Sequence, residues 1–156
     1  MQATGIKGLS SVFDVADYFL NRQDDDCQDV VTNLKLQKLC YYAQGFYLAL
    51  NRHRLFNEDI EAWQHGPVIP VLYEKYKKFG SGALPISEDF NLRNIPDDVQ
   101  DLLDEVYSEY GQYSAWKLRN MTHCEPPWQN AIKKNEVLSD QDMINFFKTQ
   151  LASEGE

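Results

Sequence analysis

The chain has 156 residues, 43% of them hydrophobic and 13% aromatic, enough for one sizeable core and too few for two full domains. A net charge of −9 opposes unspecific attachment to DNA, RNA or anionic lipid, because each phosphate contact needs a cation, and it favours basic protein partners instead. No charged leader runs into an apolar stretch and no apolar run approaches the roughly 20 residues that span a bilayer, so the expectation is one cytoplasmic domain over residues 1–156 with no membrane contact.

Residues 1–10 carry two glycines and little periodicity and read as a loose arm. Ser11 can cap a helix from Val12 to about Arg22, with Val12, Phe13, Ala16, Phe19 and Leu20 facing inward. The acidic run 23–29 lacks the alternating ligands, glycine and bidentate carboxylate of a calcium loop and reads as a solvated linker. The segment Thr32–Leu50 is the centre of the chain. Leu36, Leu39, Cys40, Ala43, Phe46, Tyr47 and Leu50 follow helical spacing on one side, and Leu34, Tyr41, Tyr42, Gly45 and Ala49 occupy the other. A helix apolar on most sides needs neighbours on most sides, with Thr32 as its N-cap and Gly45 and Ala49 leaving room for the close approach of another backbone.

Beyond Asn51 the pattern shortens. Leu55-Phe56 and the run from Ile60 to Gln64 are of strand type and predict a small hairpin. His65-Gly66-Pro67 breaks the chain, and Pro67 is placed to begin a helix running to Phe79, with Val68, Leu72, Tyr76 and Phe79 as its buried stripe and Gly80 as terminator. Residues 81–94 read as a long surface loop. From Pro96 to Tyr110 a helix turns Val99, Leu102, Leu103, Val106 and Tyr110 inward and carries six acids, Asp97, Asp98, Asp101, Asp104, Glu105 and Glu109, with no base among them. Ser114 caps a short helix to about Thr122, Pro126-Pro127 opens another through Trp128 to Lys134, and Ser139 caps the last, striped by Met143, Ile144, Phe147 and Leu151. The fold class is therefore mainly α, a compact helical domain around a buried central helix with a minor short β element.

By residue type, His65, His123, Cys124 and Glu125 invite a site hypothesis. Their spacings match no zinc pattern, and sequence neighbours such as His123 and Cys124 rarely aim their side chains at one point. Structural roles fit better: His65 closing a tight turn and His123 holding a helix end. Cys27, Cys40 and Cys124 stand at unrelated spacings and read as reduced thiols. No phosphate cradle, nucleophile elbow or spaced carboxylate pair stands out, and no zinc finger, helix-turn-helix or arginine-rich arm invites nucleic acid. No metal or cofactor is implied and no known catalytic scaffold is matched; a metal-dependent hydrolase using His65, His123 and Glu125 is the least favoured alternative.

The same residues do form a pattern. Leu34 to Gly45, then Leu55-Phe56 with Ile60 to Trp63, then His65-Gly66-Pro67-Val68 with Tyr73 and Tyr76, then Ser114, Leu118 and Thr122 to Trp128 resemble, in that order, the Panacea domain, the SocA-like antitoxin and phage-associated GepA family. The resemblance covers roughly Val12 to Lys134. It implies a mostly helical bacterial or prophage domain that binds and neutralises a cognate protein toxin, the expected product of a neighbouring gene; the alternative it implies is an adaptor delivering that toxin to a ClpXP-type protease. No added DNA-binding segment is recognisable. A domain that serves unrelated toxins should keep its core and vary its contacts, so the shared residues Leu36, Lys38, Tyr41, Tyr42, Gln44, Gly45, Trp63, His65, Gly66, Pro67, His123, Glu125, Pro127 and Trp128 read as builders of the fold, with Trp63 and Trp128 in its core. The acids Asp97, Asp101, Asp104 and Glu105 are the candidate toxin-binding face.

Overall fold

A computed structural model describes residues 11–22 and 30–154, with side chains as far as Leu151. In chain order the elements are α1 (Val12–Arg22), α2 (Asn33–Asn51), β1 (Glu61–Trp63), β2 (Gly66–Val68), α3 (Pro70–Tyr76) with a 3₁₀ turn at Lys77–Phe79, α4 (Asp97–Tyr110), α5 (Ala115–His123), α6 (Pro126–Lys134) and α7 (Asp140–Glu154). The chain is mainly α around one long helix. α7, α4, α5, α1, α3 and the hairpin all pack on α2, and every α2 residue from Lys35 to Ala49 is buried. The acidic run 23–29 and the arm 1–10 lie outside the described residues.

Local chemistry sets the helix ends. The Thr32 hydroxyl accepts from the Lys35 amide, Ser114 from Lys117 and Ser139 from Asp142, each answering one of the orphan donors of a first turn. α2 stops at Arg52, whose φ of 67° is left-handed and whose amide donates to Leu48 O at 2.8 Å. Leu50, expected on the buried side, is 56% exposed near the end of α2.

Two expectations change in the middle of the chain. The hairpin pairs Glu61–Trp63 with Gly66–Val68 across Gln64 and His65, so Pro67 lies in a strand and the following helix begins at Pro70. Pro67 fits because it faces Ala62, one step beyond the pair that closes the turn, where an N–H would point away from β1. Leu55 and Phe56 are not strand. Their amides, at 2.7 and 3.4 Å, donate to Gln44 Oε1, and Gln44 Nε2 donates to Phe56 O, so a buried amide of α2 holds this corner.

The bare surface at Gly45 meets a ring rather than a backbone. A Cβ there would lie 2.1 Å from Cε2 of Phe147, so α7 seats its aromatic ring directly on α2. Phe147 also makes edge contacts with Tyr41, Tyr42 and Phe46.

Candidate functional site

Many residues of the sequence pattern gather beside α2 where the hairpin, α5 and α6 meet, while Gln44 and Gly45 serve the Leu55–Phe56 corner and the seat of Phe147. Lys38, Tyr41 and Tyr42 share a face of α2 by three-and-four spacing. Opposite them, Thr122 and Glu125 stand three apart where α5 gives way to α6. The Tyr41 hydroxyl donates to Glu125 Oε1 and the Tyr42 hydroxyl to Oε2, each at 2.8 Å. Tyr42 stacks on Tyr110 at 4.0 Å, bringing α4 into the same cluster. Burial raises the Glu125 carboxyl to about 7 against the pull of the two hydroxyls. Burial first, and the neighbouring carboxylate second, push both tyrosines well above their ordinary range.

One turn earlier, Lys38 is fully buried and its ammonium has no hydrogen-bond partner among the described residues. Burial, and then the Arg119 guanidinium, bring it down to about 7. The aliphatic stem of Lys38 and the Thr122 hydroxyl roof over Gly66, whose φ is +111°. A Cβ on Gly66 would come 2.8 Å from Thr122 Oγ1 and 2.9 Å from Lys38 Cε, so both the backbone angle and the space demand glycine here.

The outer rim is aromatic. The His123 ring stacks on Trp128 at 4.1 Å, its backbone carbonyl accepts from Gln129, and burial with Arg119 nearby lowers its pKa. Trp128 Nε1 donates to Trp63 O at 2.8 Å, tying α6 to β1. Both tryptophans, expected in the core, are only half-buried; Trp63 keeps its indole N–H at the surface, donating to Glu61. His65 sits exposed in the hairpin turn and Cys124 is exposed at the end of α5. Leu36, Pro67 and Pro127 are buried. Among the described residues no three His, Cys, Asp or Glu side chains form a metal-holding group, and no helix is long and apolar enough to cross a membrane.

The acidic candidates lie elsewhere, on α4. Asp97, Asp101 and Glu105 are exposed. Asp104 is different, since it accepts from the Tyr18 hydroxyl and pairs with Arg22 at 3.4 Å, holding α1 to α4. Sequence reasoning also passed over two polar anchors of α2. Lys35 Nζ donates to Gly111 O at 2.7 Å, and Gln37 Oε1 accepts from the Ile69 amide at 2.8 Å. Their polarity within a buried run was the signal, because a buried polar group must find a partner.

The model of the antitoxin SocA-like, Panacea domain family matches residues 36–129, which takes in most of α2, the hairpin, α3, α4, α5 and the first turn of α6. The chain belongs to that family. It is also similar to Antitoxin SocA of Caulobacter vibrioides (strain NA1000 / CB15N), at 32% identity over 109 residues, covering 63% of this chain and 58% of that relative. The chain thus spans a little over half the length of the curated relative it matches. No solved structure matches it. The Panacea segment contains every residue of the buried tyrosine–carboxylate and Lys38 clusters, whereas α7, with the ring that covers Gly45, lies beyond it.

Proposed function

We propose that this chain is the antitoxin of a toxin–antitoxin pair, and that it neutralises a cognate protein toxin, encoded by a neighbouring gene, by stoichiometric binding in the cytoplasm without catalysis. Membership of the SocA-like antitoxin family carries this reading. The state of the pattern residues supports it. Glu125, the carboxylate a hydrolase would need free, has both oxygens taken by tyrosine hydroxyls, and Gln44 has its amide committed to the backbone of the following turn. These side chains serve the fold, which leaves recognition to the outer surface.

Co-expression with the neighbouring gene tests the proposal through growth rescue and co-purification. Titrating toxin activity with the purified chain should reach an end point at a fixed molar ratio; complete inactivation by a small fraction of an equivalent would mean turnover instead. Rescue that disappears in a host lacking ClpXP would move the mechanism from occlusion to delivery for degradation.

A further inference from the structure

We infer that the groove between α2, α4 and α7 is the docking site for a basic amphipathic helix of the protein partner, an inference that rests on the antitoxin reading and assigns it a place on the molecule. The groove is a cavity of about 480 Å³ with an apolar floor of Phe46, Leu50, Leu102, Val106 and Leu151. Leu50 is 56% exposed at the end of a helix otherwise buried to Ala49, so the floor is open rather than internal.

Charge selects the occupant. Glu105 and Glu109 border the floor, are exposed, and have no ion-pair partner among the described residues. The exposed Asp97, Asp98 and Asp101 continue the same sign along α4, and that helix carries no base to offset them. An apolar trough with an anionic edge is complementary to a helix bearing apolar anchors at three-and-four spacing and Lys or Arg beside them. An added strand would find no ladder partner, because all three walls are helices whose backbone groups are already bonded. A second copy is disfavoured by its own net charge of −9.

The probe is the protein encoded by the neighbouring gene, with affinity, association rate and cross-linking as readouts. Leu50→Asp alters an exposed side chain and should leave the melting temperature unchanged while weakening binding by about tenfold or more. The pair Glu105→Lys and Glu109→Lys should slow association by about tenfold at low salt and less at high salt. A benzophenone amino acid at position 50 should cross-link to a partner segment with the basic amphipathic pattern. Unchanged affinity in both groove variants, while the unmodified chain still co-purifies and rescues, overturns the groove and leaves the antitoxin reading standing. Failure of the unmodified chain to co-purify or rescue removes both. A dimer of this chain that Leu50→Asp dissociates, or tighter toxin binding after deletion of residues 1–10, would give the groove to a second copy or to the chain's own arm and also overturn the inference.

Discussion

The two halves of α2 are covered by different means. In the first half, Lys35, Gln37 and Lys38 bring polar and charged atoms inside, and two of them hold distant backbone: Lys35 the corner after α4 and Gln37 the entry to α3. In the second half one polar anchor remains, Gln44, which holds the corner at Leu55 and Phe56, while Gly45 and Phe46 offer shape to the Phe147 ring and Phe46 and Leu50 open onto the groove. Polar anchors specify which segments sit where, because a wrong neighbour strands a buried donor at roughly 1–3 kcal/mol. Apolar shape supplies more energy with less selectivity. One helix therefore joins polar anchors, most of them in its first half, that specify its neighbours to a second half covered mainly by shape.

The comparison breaks most visibly at Phe147. Phe147→Ala should cost about 3–5 kcal/mol in urea unfolding, since the ring is fully buried and fits a hollow made for it. Gly45→Ala should cost about 1–3 kcal/mol by overpacking, and that cost should vanish in the Phe147→Ala background. A cost that persists there would mean Gly45 is needed for something other than the ring.

In the polar half, Glu125→Ala strands two buried hydroxyls and should lower stability by about 1–3 kcal/mol for each that finds no new acceptor, with Glu125→Gln losing less because one oxygen remains. Thermal melts of the two variants read the difference. Equal losses would mean that the shape of Glu125 matters more than its acceptors.

The sign of the pH dependence sharpens the contrast further. Glu125 is raised from 4.5 to about 7, so between those values the folded chain holds the proton more firmly than the unfolded one, and stability falls as pH rises. Lys38 is lowered from 10.5 to about 7, so above neutrality the unfolded chain binds the extra proton, and stability rises with pH. Together they place a dip near neutrality. Glu125→Gln should remove the fall on its acid side and Lys38→Met the rise on its alkaline side, measured as the difference from the unmodified chain at each pH. Parallel stability curves for either variant would remove that group from the dip.

The smallest effect belongs to the acidic face. Asp97→Asn with Asp101→Asn should leave stability within about 0.5 kcal/mol, because both side chains are exposed. The same pair should slow toxin association modestly at low salt only. An equal slowing at high salt would point to a direct contact instead of steering.

These contrasts also mark what the sequence made legible. The caps at Thr32, Ser114 and Ser139 could be read because a cap is decided within four residues. So could the central helix, whose apolar sides exceed what one neighbour can cover. The hairpin register could not, because Pro67 signals a helix start locally and only its place opposite Ala62 makes it a strand residue. The half-burial of Trp63 and Trp128 was hidden for a related reason: an indole reads as core until the partner of its N–H is known, and here the partners are Glu61 and a backbone carbonyl at the rim. Leu50 kept the helical spacing of a core residue, and nothing in its sequence neighbourhood announced that it would border an open groove. The tyrosine–carboxylate cluster was visible as residues and invisible as a contact, since Glu125 meets Tyr41 and Tyr42 across most of the intervening chain.

The seating of Phe147 on Gly45 has a mechanical side. Force applied from the carboxyl-terminal direction, as by an unfolding motor, reaches α7 before any other element described here. Peeling α7 away withdraws the ring and leaves a hollow lined by Tyr41, Tyr42 and Phe46, so the interior loses its lid in one step. Force from the opposite direction meets α1 first, and α1 is tied to α4 at Asp104 by Tyr18 and Arg22. α7 is itself tied at its first turn, where Asp140 pairs with Arg54 at 3.0 Å, so pulling from that side should free the Phe147 ring before it reaches the ion pair.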